Sequence, residues 1–323
     1  MGGSGMPTMD CADDVFHRGE QALQREAGTR ERLLQAGPRI VASRVHASHR
    51  EFFARLPFVV VGAADEGGQP WASLLFGEGP DGLVDSPDDT TLRLRALPPV
   101  ADPLRTLLRP RSWVGLLGIE LPTRRRNRAN GRVVDIDERG LTVRVEQSFG
   151  NCPKYIQSRE RVDAWEVSAP KSAREDVRLD AEAARRVRGA DTLFIASRAA
   201  EGLAGGGADV SHRGGLPGFV RVADDGRSLA WSELPGNGYF NTLGNLLLEP
   251  RAGLVFPDFA SGDLLHVAGR ARIVGDAAVA GRVDGAQPAV VLDIERVVWR
   301  PAAMPLRWRL VERSPWLGGA AAG

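Results

Sequence analysis

The chain has 323 residues, of which 43% are hydrophobic and 26% charged, and its formal net charge is only +1. This composition is typical of a globular protein with a buried core, and the length predicts roughly two domains. A net charge so close to zero argues against a dedicated nucleic-acid-binding protein, and no apolar stretch reaches the roughly 18 residues of a membrane helix.

The N-terminus and the cysteines restrict the class of protein further. Residues 1–14 are polar, lack the apolar region of a secretory signal and are predicted to form a disordered tail. Cys11 falls in this tail and Cys152 is the other cysteine of the sequence, which argues against a disulfide framework and a structural zinc site. We therefore expect a cytoplasmic protein without a bound metal.

Residues 15–55 predict a helical segment, and short strands follow it. The stretch "PFVVVGAADEGGQPWASLLFG" consists of two apolar runs joined by a glycine-rich turn, which is typical of a hairpin. A strand pair, a short helix in "DPLRTLLRP" and three more strands come next. Six short strands with one small helix favour a β-barrel over residues 56–158 rather than a layered α/β sheet.

The same order of parts restarts after a charged connector with a helix at residues 159–189. "GFVRVADDGRSLAW" matches "GLVDSPDDTTLRL", and "NLLLEPR" matches "RTLLRPR". The repeat period of about 138 residues is far longer than that of a solenoid. The sequence therefore predicts a mainly β fold with two tandem, pseudo-twofold barrels, the second over residues 190–312 and followed by a tail at 313–323.

The stretch "PTRRRNRANGRV" contains five arginines and no acid. Its partner in the second copy, "DLLHVAGR", is a typical strand, so strand alternation predicts Arg124, Arg126 and Arg128 on one face and Arg125 on the other. This argues against a disordered arm for nucleic acid. Two interpretations are left: a solvated edge strand whose charges block aggregation, or an anion site shared with the second copy.

The order of the elements resembles the FMN-binding split barrels of the pyridoxamine 5'-phosphate oxidase family, with "FNTLGNLLLEPR" and "GNCPKYI" as the more specific pieces. The resemblance implies that two barrels pair, that FMN lies in the groove between them, and that its phosphate lies at the start of the helix before "PR". It places Asn241 and Thr242 where the family has a basic pair. It places Arg126 at a polar strand position that reaches FMN from the partner barrel, with Arg124 as the alternative.

The two copies depart from the family in complementary ways. The first copy has Ala101 and Asp102 at the helix start, where an acid would repel a phosphate. The second copy has Leu264 at the strand position of Arg126. Free N–H groups at a helix start favour an anion, and arginine can bind phosphate oxygens in a bidentate manner. We therefore expect one composite FMN site per chain, with Arg126 facing the helix start of the second copy.

Further cofactor contacts follow from the same resemblance. Ser211, His212 and Arg213 end the strand that would border the flavin, although a polar strand end before a glycine turn is the alternative. Asn237 is a candidate contact for the ribityl chain or the phosphate, or else a plain turn residue.

The stretch "GNCPKYI" supplies two candidates for facing the substrate or the cofactor groove, Lys154 and Tyr155. Cys152 is expected to be buried and inert, since Lys154 is its only close cation in the sequence. Near the C-terminus, Trp308 is expected in the core.

The sequence thus predicts an FMN-dependent oxidoreductase with a small-molecule substrate and NAD(P)H or a reductase as electron donor. A flavin would supply the redox chemistry itself, and no catalytic residue is assigned because the sequence shows no carboxylate pair or nucleophile triad. The alternatives are a non-catalytic flavin-binding protein and a haem-binding split-barrel protein. We expect no nucleic-acid or membrane partner, and the barrels pair either within one chain or in a homodimer.

Overall fold

A computed structural model describes residues 14–77, 82–162, 172–199, 203, 205–275 and 288–317. The predicted N-terminal tail lies outside these residues except for Asp14, and so does Cys11. Parts of the predicted connector and of the C-terminal tail lie outside them as well.

The predicted helical segment is confirmed. Its helices are α1 (Arg18–Glu26), α2 (Arg30–Ile40) and α3 (Ala47–Ala54). His17 and Glu20 form a capping box at the start of α1. The His17 side chain accepts the backbone N–H of Gly19, and the Glu20 side chain accepts the backbone N–H of His17. Phe52 and Phe53 on α3 are buried in the core of the first barrel. In the described part of the chain, every helix is too short or too polar to cross a membrane.

The first antiparallel sheet has, among the described residues, seven strands in the order β2-β1-β5-β6-β7-β4-β3. They are β1 (Phe58–Ala64), β2 (Pro70–Phe76), β3 (Val84–Asp85), β4 (Thr91–Leu94), β5 (Trp113–Glu120), β6 (Arg125–Asp137) and β7 (Gly140–Gly150). The predicted short helix is a 3-10 helix, Pro103–Thr106.

The described part of the predicted connector contains two strands besides its helix. The elements are β8 (Ser158–Val162), β9 (Arg174–Asp176) and α4 (Ala181–Gly189). Asp180 caps α4 by accepting the backbone N–H of Ala183.

The second sheet repeats the strand order of the first, as β11-β10-β14-β15-β16-β13-β12. Its elements are β10 (Thr192–Arg198), β11 (Ala208–Gly214), β12 (Arg221–Val222), β13 (Ser228–Ser232), α5 (Asn241–Leu248), β14 (Arg251–Pro257), β15 (Leu264–Val274) and β16 (Ala289–Arg300). A last strand, β17 (Arg307–Glu312), pairs with β8, and β9 pairs with β16. The fold is therefore mainly β, with two tandem barrels of the same topology behind a helical segment.

Two equivalent glycines bring the barrels together. Gly115 on β5 and Gly253 on β14 hold the same place in the two sheets, opposite Gly62 and Ala196. A Cβ on Gly115 would lie 2.8 Å from Cα of Asp209 on β11, and one on Gly253 would lie 2.6 Å from Cα of Trp71 on β2. Since β5 meets β11 while β14 meets β2, the contact is reciprocal, which is the mark of a twofold relation.

Among the described residues the hydrophobic core has one cluster in each barrel, a third between them and a smaller fourth that involves the N-terminal helices. In the third cluster Phe58 and Leu117 of the first sheet pack with Phe194 and Val255 of the second. Trp308 lies edge-on to Phe58 in this cluster, so the prediction that it is a core residue is confirmed. The barrels are therefore held together by apolar side chains as well as by the close backbone contacts at Gly115 and Gly253.

We expect the substitution Gly253→Ala to destabilise the protein by about 1–3 kcal/mol, since the new methyl group must push apart two backbones. Urea unfolding measures this, with Gly189→Ala as the matched control, because a Cβ on Gly189 meets nothing within 4 Å. Equal unfolding midpoints for the two variants would show that the barrels do not depend on this close approach.

Candidate functional site

A cavity of about 280 Å³ is lined by residues of both barrels. The first barrel contributes side chains of β6 and the loop after β7, and the second contributes β11, the loop after β13 and the start of α5. The predicted candidates that line it are Arg126, Lys154, Tyr155, Ser211, His212, Arg213, Asn237, Asn241 and Thr242. The structure thus brings together residues that lie far apart in the sequence.

The arginine run is divided by strand β6. Arg126 and Arg128 line the cavity, while Arg125 on the opposite face lies 5.3 Å from the ring centre of Phe52. Arg124, predicted on the face of Arg126, is not among the residues that line the cavity. Arg124 precedes the strand with a left-handed backbone (φ 57°), so alternation does not extend to it, and it donates to the Glu312 carboxylate at 2.6 Å.

Arg126 is a guanidinium group without a carboxylate partner among the described residues. Its Nη2 donates to the Cys152 carbonyl oxygen at 2.8 Å, which attaches the loop after β7 to the strand. Its Nε is buried and has no hydrogen-bond partner in the described part of the chain. Burial, followed by the neighbouring Arg128, lowers the pKa of Arg126 to about 10, because both disfavour its positive charge.

Arg128 is a functional candidate that the sequence prediction did not select. It is 4% exposed and forms an ion pair with Asp209 at 3.0 Å. It also donates to Ser211 Oγ at 2.6 Å and to Asn241 Oδ1 at 2.8 Å, whereas its buried Nε finds no acceptor in the described residues. Alternation placed it on the correct face, so the signal for it was present in the sequence.

The start of α5 is open towards the cavity. Phe240 at its N-cap is in the left-handed region (φ 61°) and provides no side-chain cap. The first N–H groups of a helix have no acceptor within the helix. The side chains there are already engaged: Thr242 donates to Ser211 Oγ at 3.0 Å, and Asn241 accepts from Arg128. The backbone N–H groups are therefore the donors that α5 offers to a ligand.

The end of β11 adds a neutral and a charged group. Arg213 donates from Nε to the Glu233 carboxylate at 2.8 Å, and Glu233 also accepts from the indole of Trp231 at 3.0 Å. His212 is 4% exposed, and its buried Nε2 has no partner among the described residues. Burial, then Arg126 and the other nearby arginines, holds the pKa of His212 well below its usual range, so the ring is neutral at pH 7.

The loops at the cavity hold the remaining candidates. Asn237 accepts the backbone N–H of Tyr239 at 3.1 Å, the bond expected of a turn residue, and it also lines the cavity. Tyr155 donates from its hydroxyl to the Pro235 carbonyl at 2.8 Å, which joins a loop of the first barrel to one of the second. Cys152, with Lys154 beside it, is half-buried.

The equivalent place in the first barrel is closed by the chain itself. Ser73 and Asp102 correspond to Ser211 and Thr242. The Asp102 carboxylate is 3% exposed; it accepts from the backbone N–H of Leu104 at 2.9 Å, from Ser73 Oγ at 2.5 Å, and from Arg300.

The sequence prediction missed Arg300, so its reason for an unfavourable second site needs correction. Arg300 neutralises Asp102, and charge repulsion is therefore not what excludes a second anion. The Asp102 carboxylate instead accepts from the Leu104 backbone N–H, the Ser73 hydroxyl and the Arg300 guanidinium. These are the donors that a second anion would need.

The comparisons with known proteins find similar solved structures, all at low TM-scores. No protein-family model and no curated protein matches the sequence. A point variant of HupZ from Group A Streptococcus has 16% identity and a TM-score of 0.30, covering 38% of this chain and 98% of its own. A provisionally assigned pyridoxamine 5'-phosphate oxidase from Lactobacillus delbrueckii has 20% identity and a TM-score of 0.29, covering 38% and 94%. A FAD-binding protein from Mesorhizobium loti has 16% identity and a TM-score of 0.28, covering 40% and 97%. Similarities at such low TM-scores identify no function.

We expect Asp102→Ala to lower the free energy of unfolding by about 3–5 kcal/mol, because it leaves the buried guanidinium of Arg300 without its partner. The matched control is Asp293→Ala, which removes an ion pair with Arg272 whose side chains are 53% and 58% exposed; it should cost about 1 kcal/mol or less. Urea unfolding of both variants tests this, and similar losses would contradict the importance of the buried pair.

Proposed function

We propose that the cavity between the barrels binds FMN, with the phosphate at the start of α5, and that the protein is a flavin-dependent oxidoreductase acting on a small molecule. One observation supports this above the others. The uncompensated guanidinium of Arg126, the buried Nε of Arg128 and an uncapped helix start converge on one cavity from two barrels. These groups all attract an anion, and a phosphate is the anion that such a combination suits.

Buried polar atoms without hydrogen-bond partners support the binding of a ligand in the cavity. Buried polar groups are almost always hydrogen-bonded, and an unsatisfied one costs about 1–3 kcal/mol. Four such groups belong to described residues that line the cavity: the Nε atoms of Arg126 and Arg128, Nε2 of His212 and the acceptor Oδ1 of Asn151. Arg126 and the α5 backbone would hold the phosphate, while Arg128, fixed by Asp209, would maintain the positive potential.

The other lining residues would bind and enclose the rest of the cofactor. Neutral His212 can donate or accept at Nε2, depending on its tautomer, without adding charge. Phe219 and Trp231 provide apolar surface, and the loops joined by Tyr155 and Pro235 would border the bound cofactor. Bound FMN would supply hydride or electron transfer, and NAD(P)H or a reductase is the proposed donor.

The absorption spectrum of the purified protein separates this proposal from the haem-binding alternative, since haem gives a Soret band and flavin does not. Turnover with NADH or NADPH separates an enzyme from a non-catalytic flavin-binding protein.

We expect Arg126→Ala to weaken FMN binding roughly ten- to hundredfold, the value of a charge-assisted hydrogen bond, and to change riboflavin binding far less, because riboflavin has no phosphate. Flavin fluorescence titration of the apoprotein measures both affinities. Arg124→Ala is the matched control: it removes an arginine of the same run that lies outside the cavity and should leave both affinities unchanged.

An equal loss of FMN and riboflavin in Arg126→Ala would contradict a phosphate contact. It would show that Arg126 acts through its hydrogen bond to the Cys152 carbonyl, which positions the loop.

We also expect one FMN per chain, since Asp102 occupies the equivalent helix start of the first barrel. Isothermal titration of the apoprotein gives the stoichiometry directly. Two equivalent sites per chain would show that the first barrel keeps a functional anion site despite Asp102.

A further inference from the structure

Helix α1 is fixed at the start of α5 by two glycines. A Cβ on Gly244 would lie 2.6 Å from both the backbone N and Cγ of Glu20, and Gly19 lies directly against the Gly244 carbonyl. Side chains at these two positions would prevent this approach. The N-terminal segment thus reaches the helix that borders the cavity.

This packing buries the carboxyl group of Glu20 beside Asn241. Glu20 is 4% exposed; its Oε1 accepts from Asn241 Nδ2 at 2.5 Å and its Oε2 from the backbone N–H of His17 at 2.9 Å. On its other side, Asn241 Oδ1 accepts from Arg128 Nη1 at 2.8 Å. Glu20 therefore fixes the amide of Asn241 in the orientation that receives Arg128.

Titratable groups face Glu20 from several elements. His17 at the start of α1 has Nε2 3.5 Å from Oε2, and burial lowers its pKa to about 4, so it is neutral at pH 7. Asp209 on β11 and Arg128 on β6 bring charges of opposite sign, and α5 presents uncharged amides. The pKa of Glu20 is raised to about 8, chiefly by burial and also by Asp209, against the hydrogen bonds from Asn241 and His17 and the charge of Arg128.

Ionisation of Glu20 changes the potential at the start of α5. Only the side chain of Asn241 separates the new negative charge from Arg128. Asp209 already balances part of the positive charge of Arg128. In a partly desolvated site such a negative charge weakens the attraction for a dianion. By linkage, a dianion bound there favours the protonated form of Glu20 to the same degree.

We infer that Glu20 is a positioning residue of the phosphate site and makes phosphate binding proton-linked. The neutral carboxyl group holds Asn241 and Arg128 in place for a dianion, and the ionised group opposes the dianion. This inference rests on the proposed FMN site and adds its regulation by pH.

The experiment measures FMN and riboflavin affinity by isothermal titration between pH 6.5 and pH 9, in two buffers of different ionisation enthalpy. FMN affinity of the wild-type chain should fall roughly tenfold as pH rises from 7 to 9, with net proton uptake on binding, while riboflavin affinity changes little. Proton uptake needs no variant, so it tests the inference even if a substitution at Glu20 impairs folding.

Glu20→Gln mimics the neutral carboxyl group and should make FMN affinity nearly constant from pH 7 to pH 9. The matched control is Glu26→Gln, an exposed glutamate at the end of the same helix, which should keep the wild-type profile. A wild-type profile in Glu20→Gln, or no proton uptake by the wild-type chain, would overturn the role of Glu20 and leave the FMN proposal intact.

If the wild-type chain binds no FMN, the proposed function fails, and inorganic phosphate then tests the anion site alone. Thermal protection by phosphate that declines from pH 7 to pH 9 in the wild-type chain, but not in Glu20→Gln, would support the inference. No protection at any pH would overturn both.

Discussion

The guanidinium of Arg128 joins the two barrels from a position that is only 4% exposed. An unpaired charge there would cost several kcal/mol, so Arg128 can be buried only because Asp209 of the second barrel pairs with it. Asp209 is also the residue whose backbone packs on Gly115. The glycine contact and the ion pair therefore depend on each other: the sheets must approach closely for the charges to meet, and the charges must meet for the closely packed interface to be tolerated.

The two barrels use the same scaffold in opposite ways. At the position equivalent to Arg128 the second barrel has His266, which is fully buried and donates from Nδ1 to the Ala72 carbonyl at 3.0 Å. The first barrel has Asp102 at its helix start, paired with Arg300. One helix start thus receives an anion that the chain supplies, and the other faces a cavity. These few positions make the two helix starts chemically different.

Strand periodicity and the repeat were sufficient to predict the architecture, because each barrel satisfies local rules of alternation and turns. The choice of Arg126 came from the family resemblance, and alternation gave only the face of β6 that it shares with Arg128. Arg124 precedes β6 with a left-handed backbone, and no pattern in the run signals this. Glu20 and Arg300 were missed for a different reason. Their partners lie 221 and 198 residues away in sequence, and only tertiary packing brings them together.

The hydrogen bond from Tyr155 to the Pro235 carbonyl joins two loops that border the cavity. One loop belongs to the first barrel and the other to the second, so a molecule held between them contacts both halves of the duplicated chain. The binding free energy of such a molecule would stabilise the contact between the two halves, because separating them would require its release. A ligand in the cavity would thus add to the apolar cluster and the Arg128–Asp209 pair, which already join the two halves.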